Sequence, residues 1–253
     1  MIEAVFFDLD GVLVDTERQG HRVAFNKAFK ESEIAVQWDE NLYHELLSVA
    51  GGKERIAYYF RNIVGRLPVE SDKFEDFVKT LHKRKTEILI EMIGTGELPL
   101  RPGVRRFIGE IVGTNKKIAL CTTSNRNFAD SVLKFLLPEF SFDLVLAGDI
   151  VKKKKPDPEI YNMALEILKI SPQSVLVVED SQNGVQAAAA AGIKVLATTN
   201  AYTESEDLSS ATIIVDSLGD EYTPANCTKI PSDFHLGPMI HFSDIEEVIT
   251  KKS

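Results

Sequence analysis

Val5-Phe6-Phe7-Asp8-Leu9-Asp10-Gly11 is a short apolar run that ends in two carboxylates and a glycine. Such a run predicts a strand buried on both faces, and the glycine predicts a turn directly after it. Reactive polar groups also follow three later apolar runs: Thr122-Thr123-Ser124-Asn125, Lys155 and Glu179-Asp180-Ser181. Because the carboxyl ends of parallel strands meet at one edge of a sheet, we expect these groups to converge there.

The alternation of apolar runs with helical patterns predicts an α/β core. Strands are expected at 4–7, 117–121, 144–147, 174–178, 194–197 and 212–215, and helices at 102–112, 127–136, 158–168 and 184–191. Strands that alternate with helices are typical of right-handed crossover units. The sequence therefore predicts a doubly wound, Rossmann-like parallel sheet.

One long interval breaks this alternation. Between the first two predicted strands lie amphipathic stretches of helix length at 17–30, 39–47, 53–64 and 72–93, with little strand signal. The stretch GTGELPLRPG that follows them has the glycines and prolines of a linker. We therefore expect an inserted α-helical cap domain at 17–97 and a core built from 1–16 and 98–253.

Composition and charge exclude several classes of protein. The chain has 253 residues, 44% of them hydrophobic and 26% charged, which is typical of a globular protein. Its net charge is −9, and residues 200–253 hold 10 acidic against 3 basic residues. Without a concentrated basic face or a long apolar segment, we expect neither nucleic acid nor a membrane as a partner. The two cysteines, Cys121 and Cys227, favour a reducing compartment such as the cytoplasm.

The residues at the strand ends suit phosphoryl chemistry on a metal ion. Asp8, Asp10 and Asp180 form a cluster of hard oxygen ligands, and Mg²⁺ is the cation that would relieve their repulsion and share phosphate oxygens. Lys155 and the hydroxyls of the Thr122 segment could hold the phosphoryl group.

Each segment also has a structural interpretation. Asp-x-Asp-Gly is a common turn, and Thr122 to Asn125 or Glu179 to Ser181 could simply cap a helix. A calcium loop is excluded because Val12 stands where such a loop needs an oxygen ligand. The occurrence of all the segments together, each at the end of a strand, favours the functional interpretation.

The four segments resemble the motifs of the haloacid-dehalogenase-like hydrolase superfamily: FFDLDGVLVDTE (6–17), IALCTTSN (118–125), KKKKPDPEIY (152–161) and VVEDSQNGVQAA (177–188). The resemblance implies that Asp8 is a nucleophile that forms an aspartyl-phosphate and that Asp10 is a general acid and then a base. It implies Thr122 and Lys155 as phosphoryl ligands. It also implies Mg²⁺ on Asp8, Asp180 and the Asp10 carbonyl, with Glu179 at or beside the metal. Dehalogenases of the family lack the second aspartate, so Asp10 favours a phosphatase.

A narrower resemblance covers the insert. Four segments are similar to the CbbY proteins of photosynthetic organisms, which are phosphatases of xylulose 1,5-bisphosphate. These segments are HRVAF (21–25), GGKERI (51–56), HKRKTE (82–87) and LRPG (100–103). The resemblance does not extend to the acidic C-terminal region, where residues 220–241 look like an extra loop. The resemblance favours substrate contacts from both parts of the chain: Glu17, His21, Gly51, Gly52, Lys53, Thr123, Ser124 and Asn125.

Structural alternatives remain for the residues of the insert. Gly51-Gly52-Lys53 could be an ordinary turn between helices, and His21 could be a packed or capping residue. In the functional interpretation, the glycine amides and Lys53 bind the phosphate that is not cleaved, while Glu17 and His21 contact sugar hydroxyls.

The leading hypothesis is a Mg²⁺-dependent phosphatase of a sugar bisphosphate, acting as a monomer on a small phosphorylated sugar. The alternatives are a sugar phosphomutase of the β-phosphoglucomutase type, a broader sugar-phosphate phosphatase, and a non-catalytic binding module. A phosphonatase would need a Schiff-base lysine, for which Lys53 is a candidate by position. The expected location is the cytoplasm, or the plastid stroma in a plant or alga.

Overall fold

The computed structural model describes residues 1–49 and 51–251. Its sheet has seven strands in the described residues, in the order β3-β2-β1-β4-β5-β6-β7. These strands are β1 (Ala4–Phe7), β2 (Lys117–Cys121), β3 (Leu144–Leu146), β4 (Val175–Glu179), β5 (Lys194–Thr198), β6 (Ile213–Val215) and β7 (Cys227–Lys229). All neighbouring pairs are parallel except β6 with β7. The predicted doubly wound α/β fold is confirmed.

The helices fall into an inserted group and a group that alternates with the strands. The inserted α-helices are α1 (Arg22–Glu31), α2 (Glu40–Leu46), α3 (Gly52–Tyr58) and α4 (Phe74–Gly94). The others are α5 (Val104–Gly113), α6 (Arg126–Leu136), α7 (Glu159–Leu168), α8 (Gln182–Ala190) and α9 (Phe242–Thr250). The chain also forms π-helical turns at Thr16–His21 and Tyr59–Val64, and 3₁₀ turns at Ser71–Lys73 and Pro172–Ser174.

The chain divides into two compact units. Unit 1 comprises Met1–Asp15 and Pro99–Ser253, and unit 2 comprises Thr16–Leu98. The sequence placed the insert at 17–97. Each unit has its own apolar core.

Strand β1 is the centre of unit 1. Its four residues are fully buried, and it pairs in parallel with β2 on one side and β4 on the other. Strand order reverses at β1, because the chain continues to β2 and β3 on one side and to β4, β5 and β6 on the other. In sheets of this kind, ligands bind beyond the carboxyl ends of the strands at such a reversal.

The C-terminal region contains more regular structure than the sequence predicted. The segment at 220–241, expected to be an extra loop, includes the antiparallel edge strand β7. This strand has three residues, none of them buried, so it lacks the apolar run that marked the other strands. Helix α9 follows and buries Phe242, Ile245, Val248 and Ile249 on one face.

Unit 2 is a helical unit with an aromatic core. Trp38 is fully buried, and its ring lies 4.8 Å from that of Phe25 and 4.9 Å from that of Phe29, between ring centroids. The side chain of Asn26 accepts from Trp38 N and donates to Trp38 O, both at 2.8 Å, which fixes the segment before α2. Within the described residues of both units, no helix combines the length and the apolar character needed to cross a membrane.

Candidate active site

The turn after β1 carries the two aspartates of the first motif. Asp8 N donates to Val178 O at 3.0 Å, so the pairing with β4 continues one residue beyond β1. Gly11 has φ 74°, a conformation that residues with a side chain rarely adopt, and it reverses the chain directly after Asp10. Asp8 is consequently buried and Asp10 half-buried at the edge of the sheet.

Lys155 lies among the acceptors of this edge. Its Nζ is 2.5 Å from Asp8 Oδ1, 2.6 Å from Glu179 Oε1 and 3.0 Å from Cys121 O. Three acceptors satisfy the three donors of the ammonium group. Burial lowers the pKa of this lysine, but the charges of Asp8 and Glu179 outweigh burial and raise the pKa of Lys155 above its ordinary value. Lys155 therefore stays positively charged.

The aspartates of this edge are held where ionisation is costly. Burial raises the pKa of Asp8 to about 7, against the opposing charge of Lys155 and with a further rise from Glu179 and Asp10. Burial, followed by the charges of Glu179 and Asp8, also raises the pKa of Asp180 well above its ordinary value. A cation among these carboxylates would favour their ionised forms.

Glu179, the last residue of β4, is buried and hydrogen-bonded through both carboxylate oxygens. Oε1 accepts from Lys155 Nζ and from the hydroxyl of Tyr161, and Oε2 accepts from Asp180 N at 3.2 Å. Burial and the neighbouring charge of Glu179 raise the pKa of Tyr161, so the phenol keeps the proton that it donates. Gly184 packs directly against the carboxylate. Glu179 is thus placed as a partner of Lys155, and its role beside a metal stays a prediction.

Asp180 is held by a residue that follows β5. Asn200 Nδ2 donates to Asp180 Oδ2 at 2.7 Å. The same carboxylate oxygen lies directly against Gly11. The ends of β1, β4 and β5 therefore meet at Asp180.

The second motif reaches Asp10 through a serine. Thr122 is buried after β2, where its N donates to Leu146 O at 2.9 Å and its Oγ1 accepts from Ser124 N at 3.1 Å. The Ser124 hydroxyl in turn donates to Asp10 Oδ2. These bonds place the Thr122 hydroxyl and the Asp10 carboxylate at the same edge as Asp8.

Helix capping accounts for some of the candidate side chains. Asn125 Oδ1 accepts from Asn127 N at 2.9 Å at the start of α6, and Ser181 Oγ accepts from a backbone N–H at the start of α8. Thr123 is half-buried in the same turn as Ser124. Substrate contacts by Thr123, Ser124 and Asn125 stay predictions.

The acidic residues of this edge form a cluster that could hold a metal ion. Asp8, Glu179 and Asp180 are buried, and each offers a carboxylate oxygen within 4.8 Å of the other two. Oxygen donors alone, with net negative charge, suit a hard divalent cation better than zinc or copper, for which nitrogen and sulfur ligands are typical. The residues present therefore fit the metal expected from the sequence.

In unit 2, a second polar cluster includes Glu17. Tyr43 OH donates to Glu17 Oε2 at 2.6 Å and accepts from Arg55 Nη1 at 2.9 Å. Arg55 is buried and also donates to Leu46 O at 3.0 Å. Glu17 is consequently fixed by Tyr43 within its own unit.

His21 lies beside a buried lysine. Lys85 Nζ is 2.6 Å from His21 Nδ1 and 4.8 Å from the centroid of the Phe25 ring. Burial, then the charges of Lys85 and Arg55, lower the pKa of His21 well below its ordinary value. His21 is therefore neutral and can accept from Lys85.

The glycine pair of unit 2 marks the start of α3, with Gly51 just before the helix and Gly52 as its first residue. Gly51 has φ 93°, and a side chain on Gly52 would come within 2.5 Å of His82 Nε2. Lys53, the next residue, is exposed. Gly51 thus lies in the bend before α3, Gly52 and Lys53 belong to the helix, and the contacts of Gly51, Gly52 and Lys53 with substrate stay predictions.

Three residues of the unit 1 site were not predicted. Asn200 follows the apolar run of β5, so the strand-end signal used for the other motifs would have found it. Tyr161 lies six residues after Lys155, inside the quoted third motif. Arg101, which was assigned to a linker, donates to the carbonyl oxygens of Gly11 and Thr199.

Comparisons with known proteins agree with this geometry. A family model described as haloacid dehalogenase-like hydrolase matches residues 2–192. A CBBY-like protein of Arabidopsis thaliana is 45% identical over 86% of this chain and 69% of that protein. A phosphorylated carbohydrates phosphatase of Thermotoga maritima is 35% identical over 76% of this chain and 83% of that protein.

A solved structure gives the same result. The crystal structure of a CbbY variant from Rhodobacter sphaeroides in complex with xylulose 1,5-bisphosphate has a TM-score of 0.72 and 34% identity, covering 86% of this chain and 95% of that one. The expected family and the expected enzyme class, a phosphatase, are confirmed. The chain belongs to the haloacid dehalogenase-like hydrolases and is similar to the CbbY proteins among them.

Proposed function

We propose that this protein is a Mg²⁺-dependent phosphatase that removes one phosphate from a sugar bisphosphate, with xylulose 1,5-bisphosphate as the preferred substrate. The observation that carries the proposal is the arrangement at the end of β1. There the buried carboxylate of Asp8 lies 2.5 Å from Lys155 Nζ and forms a cluster with Glu179 and Asp180. The named relatives bind or hydrolyse phosphorylated carbohydrates, which supports this class of substrate.

In the first step, a carboxylate oxygen of Asp8 attacks phosphorus. The bond from phosphorus to the ester oxygen breaks, and Asp10 donates a proton to the leaving sugar oxygen. In the second step, Asp10 takes a proton from water as the water oxygen attacks phosphorus. The bond to Asp8 breaks, and its carboxylate is regenerated together with inorganic phosphate.

Lys155 and Thr122 act on the phosphoryl oxygens. The charged Lys155 favours negative charge where it develops, and the Thr122 hydroxyl can donate to a phosphoryl oxygen. Glu179 and Tyr161 keep the lysine in place. When bound by Asp8, Asp180 and the Asp10 carbonyl, Mg²⁺ supplies positive charge that reduces repulsion between an anionic nucleophile and an anionic phosphate.

Unit 2 supplies the predicted contacts with the rest of the substrate. Lys53 and the amides of Gly51 and Gly52 would bind the second phosphate, and Glu17 and His21 would bind sugar hydroxyls. This role predicts that Lys53→Ala raises KM for a bisphosphate about tenfold, because one charged contact is lost. KM for p-nitrophenyl phosphate, which has no second phosphate, should stay unchanged.

The control for this prediction is Lys30→Ala, which removes another exposed lysine of unit 2. Equal KM values for the bisphosphate in Lys53→Ala and the wild type would show that Lys53 does not bind the second phosphate.

A phosphate-release screen tests the proposed function. Sugar mono- and bisphosphates are compared with and without Mg²⁺, and Asp8→Asn serves as the inactive control. We expect kcat/KM for xylulose 1,5-bisphosphate to exceed that for other sugar phosphates by at least about tenfold, or about 1.4 kcal/mol of discrimination. A smaller preference would contradict the substrate but not the phosphatase activity.

Product analysis separates hydrolysis from phosphoryl transfer between sugar oxygens. A phosphatase releases inorganic phosphate in proportion to substrate lost, whereas a mutase yields an isomeric sugar phosphate without net release. Failure to hydrolyse any phosphomonoester with Mg²⁺ would instead favour a binding module. A monomeric state and a location in the cytoplasm or plastid stroma stay predictions.

A further inference from the structure

Asn200 is a half-buried contact of the acidic cluster that none of the motifs contains. Its Nδ2 donates to Asp180 Oδ2 at 2.7 Å, and its position follows β5 rather than β1, β2 or β4. We infer that Asn200 is a positioning residue that fixes one oxygen of Asp180 and leaves the other oxygen available to a divalent cation. This inference rests on the cation site of the proposed function.

The orientation of the Asn200 amide follows from its second partner. Asn200 Oδ1 accepts from Tyr202 N at 2.9 Å. Because a backbone N–H can only donate, the oxygen end of the amide must face Tyr202. The NH₂ end therefore faces Asp180, and the bond to the carboxylate has one possible direction.

The backbone of Asn200 is held in a tight turn. Asn200 N donates to Thr203 Oγ1 at 3.0 Å, and Asn200 O accepts from Thr203 N at 3.0 Å and from Glu204 N at 2.9 Å. A side chain on a turn fixed in this way has little freedom to follow a moving carboxylate. Asp180 is instead held to the position that the turn determines.

Arg101 ties this turn to the aspartate loop. Its guanidinium donates to Thr198 O at 3.2 Å and Thr199 O at 2.5 Å, directly before Asn200. The same group donates to Gly11 O, in the loop that carries Asp8 and Asp10. The loop that carries Asp8 and Asp10 and the turn that carries Asn200 are therefore both hydrogen-bonded to the guanidinium of Arg101.

Gly11 completes the enclosure of the bond. A side chain at this position would overlap Asp180 Oδ2 and come within 2.8 Å of Asn200 Nδ2. Both bonded groups therefore pack directly against the Gly11 backbone. This packing restricts rotation of the Asp180 carboxylate about its bond to Cβ.

An amide suits this position better than a cationic side chain would. A neutral donor fixes the carboxylate without neutralising it, so the ionised form of Asp180 offers its full negative charge to a metal ion. A lysine or arginine in the same place would compete with the metal for that charge. Hydrogen bonds to metal-ligating groups typically change metal affinity 10–100-fold.

The inference is tested by measuring Mn²⁺ binding to the full chain by electron paramagnetic resonance, in which free Mn²⁺ gives the signal. Asn200→Ala removes the donor and the turn acceptor, whereas Asn200→Asp removes only the donor. We expect both variants to raise the Kd for Mn²⁺ about tenfold. The added charge of Asn200→Asp would by itself strengthen cation binding, so weaker binding there identifies the lost donor.

Asn162→Ala is the matched control, because it removes an exposed asparagine from α7. Its Kd for Mn²⁺ should equal that of the wild type, and thermal unfolding in EDTA should show that all variants are folded. At saturating Mg²⁺, kcat of Asn200→Ala should recover to within about threefold of the wild type, because positioning acts mainly on metal affinity.

Wild-type affinity in either Asn200 variant would overturn the inference. Weaker binding in Asn200→Ala alone would assign the effect to the turn, which also overturns it. If the wild type itself bound no Mn²⁺, the cation site of the proposed function would fail, and Asn200 would have no ligand to position. These results distinguish the two proposals.

Discussion

At the scale of single residues, Tyr161 offers a clean test of how Lys155 is held. Its buried hydroxyl donates to the Glu179 oxygen that also accepts from Lys155 Nζ, 2.6 Å away. Tyr161→Phe removes only that hydroxyl, so the ring stays in place while Glu179 loses one donor. We expect kcat/KM for a phosphomonoester to fall about tenfold, or about 1.4 kcal/mol, measured as the rate of phosphate release.

Tyr222→Phe is the control for this prediction, because it removes the same kind of hydroxyl from a tyrosine that is 90% exposed to solvent. Its kinetics should match those of the wild type. If Tyr161→Phe also matched the wild type, the hydroxyl would have no part in positioning Glu179 and Lys155.

The residues predicted from the sequence share one property that Tyr161 and Arg101 lack. Asp8 and Asp180 directly follow apolar runs, so the rule that strand ends meet at one edge brings them together. The contact between Tyr161 and Glu179 depends instead on which face of α7 is turned to the sheet. Arg101 reaches Gly11 across 90 positions of sequence. Side-chain direction and long-range contacts of this kind leave no local pattern.

At the scale of elements, helix α8 presents a glycine to the active site. Gly184 lies inside α8, where alanine normally stabilises a helix by about 0.5–1 kcal/mol. A side chain there would overlap the Glu179 carboxylate, which is fully buried and cannot move into solvent. We therefore expect Gly184→Ala to lower both the thermal midpoint and kcat/KM, with a stability loss of about 1–3 kcal/mol.

Gly113→Ala gives the opposite expectation and serves as the matched control. Gly113 is the last residue of α5, and a side chain there would meet nothing within 4 Å. Its thermal midpoint should stay constant or rise, with activity unchanged. A stable, fully active Gly184→Ala would show that Glu179 can shift without consequence for Lys155.

The elements that the sequence predicted are those with the strongest apolar patterns. Strand β4 is fully buried along its length, and its continuous apolar run identified it. Strand β7 has no buried residue, and its pairing with β6 is irregular, so nothing in its composition distinguishes it from a loop. Helix α1 begins after a π-helical turn at Thr16–His21, a departure from regular helical spacing that the sequence pattern did not mark. Burial therefore determined which elements could be predicted.

At the scale of the whole molecule, the acidic cluster makes the stability of the fold depend on pH and on a bound metal ion. Burial raises the pKa of Asp8 to about 7, whereas an unfolded aspartate titrates near its ordinary value of about 3.9. Between these values the folded state holds a proton that the unfolded state has released. The free energy of unfolding of the metal-free protein therefore falls as pH rises from about 4 to about 7, and this contribution is constant above that range.

Asp8→Asn removes this titration and tests the sign. In EDTA, the stability of the variant relative to the wild type should increase between pH 5 and pH 8, by on the order of 2–3 kcal/mol. The change with pH is the informative quantity, because effects of the substitution that involve no titrating group shift the variant by an amount independent of pH. Added Mg²⁺ should raise the thermal midpoint of the wild type far more than that of the variant, since a ligand stabilises the state that binds it. A difference between the two proteins that stays constant from pH 5 to pH 8 would show that burial does not penalise the Asp8 carboxylate, and that the fold needs no cation to keep it ionised.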